Sequence, residues 1–317
     1  MRILITGGTG FVGTHLVRFL KSGESEISVL ASGNRFVGEP GVRYYEVDIR
    51  DAKGVQSVVG EVNPEQVYHL AGITAVDFAW KYPRLTYEVN VFGAQNLFDA
   101  AASLPAPPRI LNVSTSQVYA SSSGILTEEK PLRPDNPYAA SKAMAELLVS
   151  QYPERATGGI ITARPFNHSG AGQPPNFVLP SIAKQFAEIE AGLRPPKLKL
   201  GNIAVARDFT DVRDVVRAYF LLLERGKASE VYNVCSGVAV LVADIVGMFQ
   251  RISGIDVVIE IDPNKVRAKE VAEIYGDPNK LRTETGWHRQ IPLEKTVEDM
   301  LNYWRSQCQG RDAIPEV

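Results

Sequence analysis

The chain is poor in several residue types. Its 317 residues include two cysteines, Cys235 and Cys308, and four histidines. Two cysteines cannot make a disulfide framework. His15, His69, His168 and His288 are too scattered to add the clustered ligands of a zinc centre, so no metal site is expected. Neither sign of charge dominates: 34 Lys and Arg stand against 36 Asp and Glu, a formal net charge of -2. That balance gives no footing for coating nucleic acid or an anionic membrane. Long hydrophobic runs are also missing. The apolar stretch 218–223 falls far short of the ~20 residues that span a bilayer. The amino terminus has no cationic region followed by a long apolar stretch. It reads as a first strand rather than a signal peptide, and a cytoplasmic location is expected.

What is present is an ordinary globular composition, 44% hydrophobic and 22% charged, with chain enough for one large or two modest domains. In the first half, β-rich runs at 2–6, 27–32, 42–47, 66–70, 109–114 and 159–164 alternate with helical patterns at 13–21, 52–62, 83–102 and 138–151. Alternation of this kind requires crossover connections. It predicts an α/β fold with a doubly wound, mostly parallel sheet covered on both faces. The second half holds a Gly- and Pro-rich loop at 169–175, helices at 177–191, 211–224 and 292–306, and strands at 197–200 and 230–234. A boundary falls near residue 165. The helix–strand pair 211–234 looks like one more βαβ unit, so the first domain, 1–165, is expected to regain 209–235. Segments 166–208 and 236–317 then form a smaller, interleaved substrate domain.

The first strand runs into Gly7-Gly8-Thr9-Gly10-Phe11-Val12-Gly13. Gly7, Gly10 and Gly13 are spaced three apart between a strand and a helix. This arrangement suits a sharp turn, close approach of backbone to a pyrophosphate, and helix N–H groups aimed at that anion. A dinucleotide is the expected ligand. The second strand ends without the acid that usually binds an adenine ribose in NAD-selective sites. Ser32, Asn34 and Arg35 could instead receive a 2′-phosphate, which points to NADPH. NADH stays open, because Arg35 can equally be a solvated surface charge. Asp48, closing the third strand, could meet the adenine amino group or simply end a turn.

The main chemical signal is Tyr138 and Lys142, placed i and i+4 behind Pro137 at a helix start. Such residues share a helical face. A neighbouring ammonium is expected to favour the tyrosinate and lower a pKa normally near 10. A tyrosine so tuned could exchange a proton with a sugar hydroxyl or carbonyl. Thr115, just past the fifth strand, stands at the sheet edge where open α/β folds place ligands and could bond the same oxygen.

With Leu70-Ala71-Gly72 and Asn90 added, these motifs resemble the extended short-chain dehydrogenase/reductase superfamily over nearly the whole chain. The resemblance implies a Rossmann domain with a smaller domain for a nucleotide-sugar. Phe11, Val12, Ile49, Leu70, Ala71, Gly72, Asn90, Ser114, Arg164 and Phe166 would line the cofactor, and Lys142 would hold the nicotinamide ribose; Asn90, inside a helix, can instead be a structural amide that kinks it. Within the superfamily, the stretches 163–173, 176–178, 207–214 and 231–237 resemble GDP-4-keto-6-deoxy-D-mannose reductases, which form GDP-D-rhamnose. GDP-mannose 4,6-dehydratases are close relatives. Those dehydratases carry a glutamate two residues after the catalytic threonine as the base that removes a C5 proton. Here the position is Gln117, which cannot act as a base; Glu128 and Glu129 are the nearby carboxylates that could stand in.

The implied substrate contacts are Thr115, Asn167, Asn176, Val178, Lys184, Arg207, Arg267 and Glu270, with Lys184 equally readable as part of a solvated helix face. Arg207 suits a diphosphate, or else an ion pair with Asp208 or Asp211. Ala268 stands where relatives usually have proline after the arginine of the Arg267–Glu270 motif. The resulting expectation is an NADPH-dependent ketoreductase acting on a GDP-sugar, forming a homodimer through the helices 83–102 and 138–151, with no nucleic-acid or membrane partner. The alternatives are a dehydratase or 4-epimerase with tightly held NAD(P), or a dinucleotide-binding sensor without turnover.

Overall fold

A computed structural model describes residues 1–32, 39–120, 124–153, 158–263 and 271–309. In chain order the elements begin β1 (Arg2–Thr6), α1 (Phe11–Leu20), β2 (Glu26–Ala31), β3 (Arg43–Glu46), α2 (Ala52–Val62) and β4 (Gln66–His69). Then come α3 (Val76–Lys81), α4 (Pro83–Tyr87), a π turn at Glu88–Phe92, α5 (Gly93–Ala102), β5 (Arg109–Val113), β6 (Gly124–Leu126), α6 (Pro137–Val149), β7 (Ile160–Pro165) and β8 (Asn167–Ser169). The remainder is α7 (Val178–Glu190), β9 (Lys197–Leu200), β10 (Ala206–Asp211), α8 (Val212–Arg225), β11 (Val231–Val234), β12 (Ala239–Leu241), α9 (Val242–Ser253), β13 (Val258–Ile261), β14 (Glu273–Gly276), α10 (Asn279–Thr285) and α11 (Leu293–Gln309).

Among the described residues, seven parallel strands form one sheet in the order β11-β7-β5-β4-β1-β2-β3. The chain winds outward in both directions from β1, which is the Rossmann order, and the reversal between β1 and β4 opens a crevice at the strands' carboxyl ends. One face packs Leu16, Val215, Tyr219 and Trp287 from α1, α8 and the segment after α10. The other packs Val55, Val59, Leu97 and Phe98 from α2 and α5. Burial on both faces explains why β1, β2 and β4 carry so little polar surface. A separate core, including Leu179, Phe186, Phe249 and Met300, joins α7, α9 and α11. No helix of the described residues is long and apolar enough to cross a membrane.

Helix starts follow from local chemistry. Asp51 accepts from Gly54 N at α2, and Asn136 accepts from Ala139 N at α6, each satisfying an N–H that the helix leaves free. The segment expected as one helix over 83–102 is interrupted by the π turn. Strand β10 was not expected, because Asp208, Thr210 and Asp211 are polar. All three are nevertheless buried.

Asp208 shows how such a strand is tolerated. Its carboxylate accepts from Ser236 N (2.8 Å), Ser236 Oγ (2.7 Å) and Gly237 N (2.9 Å), tying β10 to the turn after β11. Its carbonyl accepts from Asn167 Nδ2 at 3.3 Å. Asp208→Ala would remove the acceptor of the buried Ser236 N and Oγ and of the part-buried Gly237 N. It is expected to lower the free energy of unfolding by about 3 kcal/mol, read from urea denaturation. A loss below about 1 kcal/mol would contradict this account.

Candidate active site

The glycine turn between β1 and α1 is backbone packed against backbone. Gly7 has φ +69°, and a Cβ there would lie 2.7 Å from Ala71 N. A Cβ on Gly13 would lie 2.4 Å from the Gly7 carbonyl oxygen. Gly10 precedes α1 in an extended conformation with no side-chain cap. The first N–H groups of a ten-residue helix therefore face the crevice, an arrangement suited to an anion. The crevice is a cleft of about 640 Å³, a size that accommodates a large organic ligand.

The structure brings Gly7, Gly10, Phe11, Val12, Gly13, Leu70, Ala71 and Gly72 to one side of this cleft. Ser32, Asp48 and Ile49 border its β2–β3 end. Asn34 and Arg35 lie outside the described residues, as do Arg267 and Glu270. Asp48 is gripped by Arg50, with Arg50 Nη2 to Oδ2 at 2.6 Å, and this guanidinium holds its carboxyl below the usual range.

Asn90 does not line the cleft. It sits in the π turn, buried, and accepts from Ile73 N (2.8 Å) while donating to Ile73 O (3.0 Å) and Ser141 Oγ (2.8 Å). The turn's wider winding presents this amide sideways. Asn90 thereby fastens the cleft-lining loop after β4 to helix α6.

Thr115, Tyr138 and Lys142 meet at the centre of the cleft wall, and all three are buried. Lys142 Nζ donates to the Val113 carbonyl at 2.8 Å. Burial pushes its pKa down to about 8, opposed by Glu146 one turn further along α6. The Tyr138 phenol is pushed upward by burial and pulled back only by its hydrogen bond with Thr115. This corrects the expectation of a tyrosine acidified by its lysine. Both groups have left water, each therefore resists its charged form, and the amine is engaged by a carbonyl.

Two buried atoms in the same wall, Ser114 Oγ and Gln173 Oε1, have no hydrogen-bonding partner among the described residues. Buried polar groups seldom stay unpaired. Together with the glycine cradle, they fit a wall built to receive a polar ligand such as a dinucleotide.

Several expected contacts lie elsewhere. Arg164 forms a buried, bidentate pair with Glu146 (2.6 and 3.0 Å), lies over the Tyr119 ring and does not border the cleft. Arg207 does not pair with Asp208 or Asp211. Its guanidinium donates to the Ala206 and Val271 carbonyls, while Asp208 is held by Ser236 and Asp211 by Arg213 and Thr296. Lys184 pairs with Glu188 on its own helix. Asn176 and Val178 do not border the cleft, whereas Phe166, Asn167 and Phe177 do. Glu128 accepts from Asn233 N at 2.8 Å and, like Glu129, is absent from the lining, whereas Gln117 is present. His168, Gln173 and Tyr219 border the cleft without having been expected there. His168 and Gln173 belong to the same stretch, 163–173, as Asn167. Tyr219 read as core and is fully buried.

The Lys142 shift sets a pH test. Unfolded lysine titrates near 10.4, so between pH 8 and 10 the unfolded chain holds more protons and this site's contribution to stability rises with pH. The stability of the wild type relative to Lys142→Met is expected to increase by on the order of 2 kcal/mol from pH 8 to 10. Parallel curves from denaturation at each pH would contradict the burial of Lys142.

The comparisons with known proteins agree with this geometry. A family model for GDP-mannose 4,6 dehydratase matches residues 4–300. GDP-6-deoxy-D-mannose reductase of Pseudomonas aeruginosa is 34% identical, covering 96% of this chain and 98% of its own. GDP-6-deoxy-D-talose 4-dehydrogenase of Aggregatibacter actinomycetemcomitans is 31% identical, covering 95% and 97%. The solved structure of RMD from Pseudomonas aeruginosa complexed with NADPH superposes with a TM-score of 0.85 at 33% identity, covering 97% of this chain and all of that one. The chain belongs to the GDP-mannose 4,6 dehydratase family and is an NAD(P)H-dependent oxidoreductase of the extended short-chain dehydrogenase/reductase type.

Proposed function

We propose that the protein reduces the C4 ketone of a GDP-4-keto-6-deoxyhexose to the GDP-6-deoxy sugar, of the GDP-D-rhamnose type, with NADPH. One observation carries this reading over dehydration. The described lining of the cleft offers the Tyr138 phenol but no carboxylate near it. Its single acid, Asp48, is at the β2–β3 end and paired with Arg50. Gln117 occupies the wall beside Thr115, with Oε1 accepting from Asn136 Nδ2 at 3.3 Å. Elimination requires a base at that place; ketone reduction requires an acid. The names of the two curated relatives support a GDP-sugar. The NADPH in the Pseudomonas structure, and the lack of an acid at Ser32, support that cofactor.

When bound, the reduced nicotinamide supplies hydride to the sugar carbon. The free N–H groups of α1 and the turn at Gly7, Gly10 and Gly13 would hold the pyrophosphate. Lys142 would hold the nicotinamide ribose, and Ser32 the 2′ position. Thr115 aligns the carbonyl, and Tyr138 gives its proton to the oxygen as negative charge develops there. Acid assistance of this kind contributes on the order of 100- to 10,000-fold. In this reading residues 1–165 and 209–235 hold the cofactor, and 166–208 with 236–317 hold the sugar nucleotide, of which Asn167 borders the cleft. The pairing of β11 with β7 supports the return of 209–235 to the first unit.

The protein also acts as a homodimer in this proposal. Leu147 on α6 is 64% exposed and Phe92 at the end of the π turn 55%, and large apolar side chains left open on adjoining elements favour a partner face. Leu147→Asp is expected to yield monomers by sedimentation equilibrium. A wild type already monomeric at micromolar concentration would contradict the dimer.

For the reaction, GDP-4-keto-6-deoxymannose is expected to cause stoichiometric loss of NADPH absorbance. Conversion of GDP-mannose without net NADPH loss would mark a dehydratase instead. Tyr138→Phe is expected to lower kcat by at least about 100-fold while leaving NADPH affinity near the wild-type value. Retained turnover would contradict the role of Tyr138.

A further inference from the structure

Glu146 and Arg164 form a buried ion pair that does not border the cleft. Each side chain is 6% exposed, and N–H···O contacts of 2.6, 3.0 and 3.1 Å join them. The guanidinium is engaged elsewhere too. It lies 4.8 Å from the centre of the Tyr119 ring, and its Nη1 donates to the Glu128 carbonyl at 3.3 Å. A buried pair of this kind seldom adds stability over apolar side chains of similar volume, so stability alone does not account for it.

Its place in the fold points to Lys142. Tyr138, Lys142 and Glu146 are spaced four apart along α6 and share one face. Strands β5 and β7 are neighbours, with Val113 opposite Ala163. Lys142 Nζ docks on the Val113 carbonyl at 2.8 Å, and Glu146 docks on Arg164, the residue after Ala163. One helix face is thus pinned to two adjacent strand ends. At the first pin the amine also meets the cleft loop: a Cβ on Gly72 would lie 3.3 Å from Nζ. The titratable groups packed around the amine come from four elements. His69 on β4 is pushed down to about 3 by burial and then by Lys142, so it adds no charge. Tyr138 on α6, and Tyr219 on α8 beyond it, are phenols raised by burial. Glu146 is the anion that acts on the amine, and Arg164 on β7 is the cation paired with that anion.

We propose that the Glu146–Arg164 pair is a positioning element for Lys142: the carboxylate, one helical turn behind the amine, sustains the ammonium, and Arg164 holds the carboxylate in place. An ammonium has three N–H donors, and a neutral amine has one fewer. Val113 takes one of them. The ammonium therefore keeps a donor for each of two neighbouring ribose hydroxyls, whereas the amine could serve only one. The pair acts through Lys142 and touches no ligand. Its consequence for the cofactor rests on the reading that Lys142 holds the nicotinamide ribose.

The test first reads Lys142 itself. Unfolding free energies of the wild type and Lys142→Met, compared from about pH 6 to 10, locate the pH at which the folded chain gives up the Lys142 proton. The same comparison is made in Glu146→Gln and in Glu146→Gln/Arg164→Met, which removes both charges and leaves neither unpaired. A lysine whose folded pKa lies below its unfolded one destabilises at low pH, and the penalty lifts as pH rises from the folded value. Without Glu146 that rise is expected to begin about one pH unit lower in both backgrounds. NADPH affinity, followed by nucleotide fluorescence, is expected to weaken at a correspondingly lower pH. The double variant decides if Glu146→Gln alone fails to fold. An unshifted rise in the double variant, or its failure to fold, would make the pair a structural clamp and overturn the proposal. A shifted rise with NADPH affinity indifferent to pH would leave the hold on Lys142 standing and overturn the ribose contact beneath its consequence for the cofactor.

Discussion

A phenol and an amine are buried one helical turn apart on α6, and the structure around them is arranged to make that possible. Tyr138 is 7% exposed and Lys142 5%. Taking each from water penalises its charged form, so each needs a fixed partner. The Val113 carbonyl at the end of β5 receives the amine, and Thr115 two residues later bonds the phenol. One strand end thus serves both groups. Asn136 and Pro137 fix where α6 begins, which sets the height of Tyr138 above the sheet. Asn90 then fastens α6, through Ser141, to the loop after β4.

That arrangement explains why the reactive groups and the glycine cradle share one cleft. The sheet reverses direction between β1 and β4, so the loops after those strands separate and leave space at their carboxyl ends. Gly7 and Gly13 line one side because no Cβ fits there. The β5 end and α6 line the other. Strand β8, paired with β10, brings Asn167 and His168 over the opening. Chemistry and binding are therefore placed by strand order, and the side chains only have to meet at the sheet's edge.

Much of this was legible in the sequence, where the signals are local. Three glycines after an apolar strand, Tyr and Lys four apart behind a proline, and the alternation of strand and helix all act over a few residues. What escaped depended on distant partners. The helix expected over 83–102 contains a π turn at Asn90, which bonds Ile73 and so matches its alternative reading as a helix-kinking amide. Strand β10 looked polar because Ser236 and Gly237, which satisfy Asp208, lie far along the chain. Arg164 was expected along the cofactor, but Glu146, from the next helix turn of α6, engages it. The direction of the Tyr138 shift was misjudged for the same reason. The i, i+4 spacing shows that an amine is near; it does not show that burial outweighs it. Helix α9 is itself a local signal, with Val242, Ile245, Val246 and Phe249 at helical spacing.

The central claim is that this cleft adds hydrogen at a sugar C4 while a neutral tyrosine supplies the proton. The most direct measurement uses NADPH carrying deuterium at the transferable position, with GDP-4-keto-6-deoxymannose as substrate and the product read by proton NMR. The account predicts deuterium at C4 of the product sugar and no exchange of the C5 proton with solvent. Product whose C4 carries only protium, or a C5 proton washed out by the medium, would contradict it.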